Sequence, residues 1–259
     1  MNKTYVVIFK ENGKKYFFFS EENYKENDYV IVETEKGLQY GKIINVLNKP
    51  HDENLRKILR LADENDYKTH LKNLKDASTA LKKATNIVHE LKLPMSIVSA
   101  SFTFDRNQLL FNFVSDDRVD FRELAKKLAY IYHTRIELRQ IGARDKAKEI
   151  GGLGICGKRL CCNNFLNQIE AVSMNMAKNQ NLALNPSKIN GLCGRLLCCL
   201  AYEDANYTAC SKNLPRVGSE IKINDKKGIV HSVDILNRKI TIIVNGEKEE
   251  LNLDENDQK

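Results

Sequence analysis

The chain lacks any apolar run long enough to cross a membrane as a helix, which excludes a transmembrane segment of that kind. The only apolar stretch near its start, Tyr5-Val6-Val7-Ile8-Phe9, is too short for a signal-peptide core, and no small-residue cleavage site follows. The expectation is therefore a cytoplasmic protein. We read no P-loop and no dinucleotide-binding fingerprint in it. Its five histidines, His51, His70, His89, His133 and His231, are dispersed, and none pairs with an obvious serine or cysteine nucleophile. Hydrolase, transferase and dehydrogenase sites are thus without support, and the expectation is a protein that is not an enzyme. No C-x-x-C is present, which leaves thiol oxidoreductase chemistry a distant alternative.

What is present is cysteine, in an unusual arrangement. Six of the seven cysteines fall in two copies of C-x₄-C-C. The first runs Cys156-Gly157-Lys158-Arg159-Leu160-Cys161-Cys162, the second Cys193-Gly194-Arg195-Leu196-Leu197-Cys198-Cys199, 37 positions later. In a reducing compartment, clustered cysteines point to metal or redox roles and not to structural disulfides. Each copy places one cysteine in a glycine-flanked turn and another five residues on, where a helix is expected to start. Helix N-termini and nearby cations favour the thiolate that binds metals. Cys156, Cys161, Cys193 and Cys198 are accordingly candidates for a four-sulfur site. Adjacent residues on a helix point about 100° apart, so Cys162 and Cys199 are left open between a second centre, a partner contact and burial. Four cysteines suit zinc or an iron–sulfur cluster. Six in adjacent pairs exceed the needs of one zinc, which favours iron–sulfur. Cys210 stands outside the repeat, and a core or surface position is the simpler reading for it.

The net charge of +7 is concentrated around these cysteines. Between Ile141 and Leu200 there are eight basic residues against three acidic ones. Such a surface suits nucleic acid or an acidic partner. Lys158, Arg159 and Arg195 lie inside the cysteine loops, and for these three we favour offsetting the negative charge of a thiolate-bound cluster. Against a nucleic-acid platform, no interleaving of aromatic and basic residues is seen. A zinc-stabilised RNA-binding module is the alternative function.

The expected fold class is α+β: a central helix-and-sheet unit with a cysteine-rich module, flanked by small strand-rich, barrel-like segments. Residues 1–50 carry two hairpin patterns, one at Asn12-Gly13 and one at Lys36-Gly37. Residues 53–141 form the α+β unit. A helix is expected from Glu53 to Leu91, then a hairpin over residues 95–114, a helix capped by Asp120 and a strand over Thr134–Ile141. Residues 142–210 are the cysteine module, with a short helix through Ile169, Val172 and Met176 and a turn at Asn185-Pro186-Ser187. Residues 214–253 repeat the strand-rich rhythm of the start, with a last hairpin at Asn245-Gly246, and a frayed tail follows.

Three runs carry a resemblance: Arg118-Val119-Asp120-Phe121-Arg122-Glu123-Leu124, the stretch from Thr134 to Asp145, and Gly191-Leu192-Cys193-Gly194-Arg195-Leu196-Leu197-Cys198-Cys199-Leu200. In these the chain resembles the bacterial RicT (YaaT) family, whose C-terminal domain is named after a yeast polymerase suppressor. The likeness spans roughly Leu59 to Glu203. It implies a cytosolic regulatory subunit joined to two small helical proteins, RicA-like and RicF-like, in a complex carrying [4Fe–4S] clusters and linked to flavin (FAD). That complex acts as a specificity factor for the endoribonuclease RNase Y, and affects sporulation, competence and biofilm development. All six repeated cysteines match the family's motif, which makes them candidate cluster ligands, shared in part with partner subunits.

Overall fold

The structure is a computed structural model. It describes residues 3–10, 13–35, 37–47, 55–166, 168–223, 226–244 and 246–253. Asn12, Lys36, Asn245, Glu53 and the tail after Leu253, all invoked above, lie outside the described residues. The chain divides into two compact units, Met1–Asn167 and Gln168–Lys259, and the division falls between the two cysteine copies.

The first unit begins with five strands: β1 (Lys3–Ile8), β2 (Tyr16–Ser20), β3 (Tyr29–Thr34), β4 (Gly37–Leu47) and β5 (Arg56–Leu61). They close into a barrel in the order β1-β2-β5-β3-β4. β-branched and aromatic residues suit a pleated, half-buried surface, and here they fill the barrel. Tyr5, Val7, Phe18, Val30, Val32, Ile43 and Ile58 form its buried core. Fully burying each such aliphatic or aromatic side chain contributes about 1.5–3 kcal/mol. Closure depends on β5, which pairs in parallel with β2 and antiparallel with β3.

β5 corrects the expected helix from Glu53. Arg56–Leu61 is a strand, and α1 (Glu64–Glu90) starts only after it. The change of element is enforced locally. Asp63 caps α1 by accepting from the Asp66 N–H at 2.8 Å, while the Asp66 carboxylate accepts from the Asp63 N–H at 2.9 Å. This reciprocal capping box satisfies donors that a helix start leaves open. The same nearly buried Asp66 receives both terminal nitrogens of Arg60 from β5, one of them at 2.9 Å. Charge-assisted bidentate bonds are the strong kind, so the last strand of the barrel is tied to the first turn of the helix.

The buried positions of α1 face a three-stranded sheet of β6 (Ser96–Phe102), β7 (Gln108–Val114) and β8 (Arg135–Gln140). β7 is central, antiparallel to β6 and parallel to β8. α2 (Arg122–Tyr132) makes the crossover from β7 to β8, as a parallel connection requires. Ala80, Ala84, Ile87 and Val88 of α1, Leu109, Phe111 and Phe113 of β7, and Leu124 and Leu128 of α2 build one core. The hairpin and the strand expected here are found. The expected cap is not: Phe121 occupies the N-cap position. Asp120 one residue earlier is taken up by Arg122, whose backbone N–H and guanidinium both bond its carboxylate. That pairing holds the Asp120 carboxyl down at about 2. The barrel meets α1 through the Tyr40 ring, stacked on His70 with centroids 4.4 Å apart. Burial pushes the His70 imidazole pKa down. α3 (Ala143–Ile150) and the one-turn α4 (Cys161–Asn164) complete the unit.

The second unit opens with α5 (Met174–Asn179), α6 (Pro186–Ile189) and α7 (Cys198–Cys210). Ala177, Ile189 and Leu200, one from each, are buried together, with Val172 and Met176 packed against them. Ile169 and Val172 therefore precede the short helix expected to contain them. The expected turn at Asn185 is a helix start: its side chain accepts from the Ser187 N–H at 3.0 Å, and Pro186 takes the first helical position. The end of the chain is strand-rich as expected, and takes the form of a four-stranded antiparallel sheet. Its strands β9 (Glu220–Ile223), β10 (Lys226–Asp234), β11 (Lys239–Val244) and β12 (Glu247–Asn252) lie in the order β12-β11-β10-β9. No helix among the described residues is long and apolar enough to cross a membrane.

Replacing Asp66 by alanine removes a cap partner and an ion-pair acceptor together. The expected loss is about 1–3 kcal/mol in chemical denaturation. The Arg60 hydrogen bond, followed by the bond from Asp63, holds the Asp66 carboxyl below the ordinary aspartate value of 3.8. A depressed folded pKa contributes stability that is present above 3.8 and lost as pH falls through the folded value. The variant should therefore differ most from the parent near neutrality and converge with it in acid.

Candidate functional site

The two cysteine copies fold alike, bond for bond. In the first, the Gly157 N–H donates to the Gly154 carbonyl at 2.9 Å and the Gly154 N–H to the Lys158 carbonyl at 2.8 Å. In the second, Gly194 donates to Gly191 at 2.9 Å and Gly191 to Arg195 at 2.8 Å. An isolated bridge joins Leu153 to Arg159 in one and Asn190 to Leu196 in the other. A further bond runs from Leu160 to Gly152 and from Leu197 to Ile189. Every one of these pairs shifts by the same 37 positions as the sequence repeat. The shape is a tight hairpin whose loop ends on a left-handed glycine, which matches the twist of the flanking chain. Gly157 and Gly194 supply that residue, with φ of +74° and +75°.

This turn decides where the first cysteine of each copy points. Cys156 and Cys193 occupy the position just before the left-handed glycine, and their sulfurs fold back over the hairpin. A Cβ on Gly154 would stand 3.4 Å from the Cys156 sulfur, and one on Gly191 would stand 3.8 Å from the Cys193 sulfur. Glycine at these positions keeps space beside the thiol open. The chain then leaves through Leu160 or Leu197, both extended with ψ near 128° and 127°, and enters a helix. Cys161 and Cys198 are the first residues of α4 and α7, as the spacing predicts. α4 is held to α3 by the Asn163 side chain, which donates to the Lys148 carbonyl at 2.6 Å.

The structure thus gathers Cys156, Cys161 and Cys162 on one hairpin-and-helix element of the first unit. It gathers Cys193, Cys198 and Cys199 on a second such element in the second unit. The second members of the pairs differ: Cys162 is buried and Cys199 half-buried. Cys210, the last residue of α7, is half-buried. Among the described residues, no group of three or more His, Cys, Asp or Glu side chains converges closely enough to hold a metal ion. The chemistry of the donor set does fit a soft centre: three thiols on each of two like elements that also carry exposed cations. Lys158, Arg159 and Arg195 are all solvent-exposed. Two of them serve the hairpins through their backbones, since the Lys158 and Arg195 carbonyls accept the closing bonds.

Sequence reasoning passed over two features. Gly152, Gly154 and Gly157 fall at the G-x-G-x-x-G spacing of a dinucleotide-binding turn. They form the cysteine hairpin and not a strand-to-helix turn, so the phosphate-binding setting is missing. The second feature is apolar. Ile155 and Leu192, one residue before each hairpin cysteine, are 70% and 69% exposed. Their matching places in the two copies were the available signal.

Comparison with known proteins agrees with the fold and the repeat. Residues 56–141, from β5 through β8, match the PSP1 C-terminal conserved region. Residues 171–214, with the second hairpin and α7, match the third domain of PSP1-like proteins. The chain is therefore a PSP1-type protein. It is 47% identical over 249 residues to the Stage 0 sporulation protein YaaT of Bacillus subtilis, covering 93% of this chain and 90% of that protein. The chain belongs to the RicT (YaaT) family. An uncharacterized protein of Schizosaccharomyces pombe is 28% identical over 51% of this chain and 22% of its own length. Protein PSP1 of Saccharomyces cerevisiae is 49% identical over 47 residues, which is 18% of this chain and 6% of that protein. No solved structure matches.

The left-handed glycines give the site a direct structural test. Gly157→Ala and Gly194→Ala each place a Cβ in a left-handed conformation, at a cost of about 1–2 kcal/mol. Nothing lies within 4 Å of either added Cβ, so the cost is conformational and local. Hydrogen exchange should speed up at the N–H groups of Gly154 and Gly157, or of Gly191 and Gly194, with the barrel amides unchanged.

Proposed function

We propose that this chain is a non-catalytic regulatory subunit that holds an iron–sulfur cluster through its repeated cysteines. The observation that carries the reading is the recurrence of one cysteine hairpin, hydrogen bond for hydrogen bond, 37 residues apart. Duplication of a backbone device that presents a thiol on a tight hairpin has a ready use in ligating a soft metal centre. Cys156, Cys161, Cys193 and Cys198 are the leading ligands. Cys199 is half-buried and a candidate further ligand, while Cys162 is buried. Lys158, Arg159 and Arg195 would balance the charge of a thiolate-bound centre.

A [4Fe–4S] cluster supplies a group whose charge and integrity respond to oxygen and redox state. This chain's part is to hold it at a surface where its state alters assembly with other subunits. The finer reading is what the resemblance implies: RicA-like and RicF-like helical partners, flavin at the level of the complex, and RNase Y as the enzyme whose mRNA processing is modulated. The name of the Bacillus subtilis relative supports a place in sporulation; competence and biofilm decisions would follow from the same regulation. The work is expected in the cytoplasm.

Metal and sulfide analysis after strictly anaerobic purification, with and without the co-expressed partners, tests this. Iron and sulfide in equal amounts, bleached by air, are expected. Iron that appears only with the partners would mean that they supply ligands. One zinc per chain and no iron in both preparations would replace the reading with a zinc-stabilised module. Cys198→Ser is expected to lower cluster content at least twofold and to impair transcript processing; an unchanged cluster and unchanged processing would rule this cysteine out.

A further inference from the structure

Helix α1 carries two neighbouring apolar rows, and only one of them is used by the fold. The row through Asp66, Asn73, Ala77, Ala80 and Ala84 is buried within its own unit. The next row, one residue on, begins with Tyr67, Leu71 and Leu74, which are 51%, 46% and 55% exposed. It continues through exposed Ser78 to half-buried Leu81. The steps alternate four and three residues, which is the heptad spacing of a helix-packing seam. From Tyr67 to Leu81 it runs about 21 Å at 1.5 Å per residue. Single exposed leucines are ordinary on protein surfaces, but a lengthwise row of large apolar side chains marks an interaction site.

The charge beside the seam narrows the partner. One residue further round the helix stand Lys68, Lys72, Lys75 and Lys82, all exposed. None of them joins a salt bridge among the described residues. Two carboxylates of the helix are engaged elsewhere, Asp66 by Arg60 and Asp76 by Arg106 at 2.8 Å; exposed Glu64, four residues before Lys68, is the one acidic neighbour on the same face of its first turn. The seam is thus bordered by the protein body on one side and, on the other, by a row of four lysines that form no salt bridge among the described residues.

We propose that this seam of α1 is the docking surface for an amphipathic helix of another protein, with apolar heptad positions and acidic residues alongside them. Apolar residues would fill the spaces between Tyr67, Leu71, Leu74 and Leu81, and carboxylates would meet the four lysines. Flanking charge pairs of this kind set partner choice and orientation in helix packing. A second copy of the chain matches poorly, since its seam brings the same lysine row and no acidic one. The surface lies outside both cysteine elements, and its use does not depend on metal.

The probe is a fluorescent helical peptide of about four heptads, with leucine at the two seam positions and glutamate beside them. Its binding to the full-length protein is followed by anisotropy at two salt concentrations. A second peptide carries lysine in place of every glutamate. The glutamate peptide should bind, more weakly at high salt, and the lysine peptide should not. Leu71→Glu should weaken binding at least tenfold, and the combined Lys68→Glu, Lys72→Glu and Lys75→Glu protein should come to prefer the lysine peptide. All four positions are exposed, and circular dichroism melts of each variant confirm that folding is retained. No binding, equal binding of both peptides, or indifference to Leu71→Glu would overturn the proposal. So would a dimer of the parent that Leu71→Glu dissociates, which would assign the seam to a second copy. Displacement of the peptide by a homopolymeric RNA whose own binding ignores Leu71→Glu would also overturn it. Iron content measured on the same samples is expected to be unchanged, so this inference and the cysteine reading fail separately.

Discussion

The Asp66 carboxylate is the interaction on which the first unit turns. It completes the capping box of α1 and takes both guanidinium nitrogens of Arg60 from β5. One acidic side chain therefore fixes where extended chain gives way to helix. Both neighbours need that boundary. The barrel is closed by β5 between β2 and β3, and the sheet of β6, β7 and β8 is covered by the alanine face of α1. Were the helix to start earlier, β5 would be consumed and the barrel left open. Were it to start later, the first turn of α1 and its bond to Arg60 would be lost. The capping bonds are local, yet they mark the boundary between two separate cores.

The cysteine elements obey a different constraint, the left-handed backbone at Gly157 and Gly194. It closes a hairpin over so few residues that the preceding cysteine is placed by the turn itself. Packing contributes little: Ile155 and Leu192 at the tips are exposed, and so are Lys158, Arg159 and Arg195. The hydrogen-bonded turn and the helix that follows hold the thiols. Such an element keeps its shape while offering sulfur to solvent, which suits ligation better than a core role does. Cys162 is buried and its neighbour Cys161 half-buried, so the two members of one adjacent pair differ in exposure.

The exposed seam of α1 and the exposed hairpin tips share a pattern of apolar residues held out by rigid elements and bordered by cations. Such surfaces are costly in isolation and become favourable when a complementary surface covers them. Recognition is the use we propose for these surfaces.

Much of the site was legible from residue order, because its determinants are local. The C-x₄-C-C copies, the glycines around them and the helix starts at Cys161 and Cys198 depend on bonds spanning a few residues. The strands of the barrel, the 95–114 hairpin and the helix through Leu124 and Leu128 were legible by periodicity for the same reason. Helical spacing misled at residues 56–61, where strand pairing with β2 and β3 outweighed it; those partners lie 26 or more residues back in the chain. Asp120 carries a good capping side chain, but Arg122 engages it and Phe121 takes the position. The sequence by itself determined the duplicated cysteine turn, its charge and the α+β class, all of which follow from local backbone preference and composition. Only the tertiary structure decided that the barrel closes through a parallel strand, that Cys162 is covered, and that one row of α1 is buried while the next is left to solvent. Those outcomes depend on which distant surfaces meet, and no local pattern of residues encodes that.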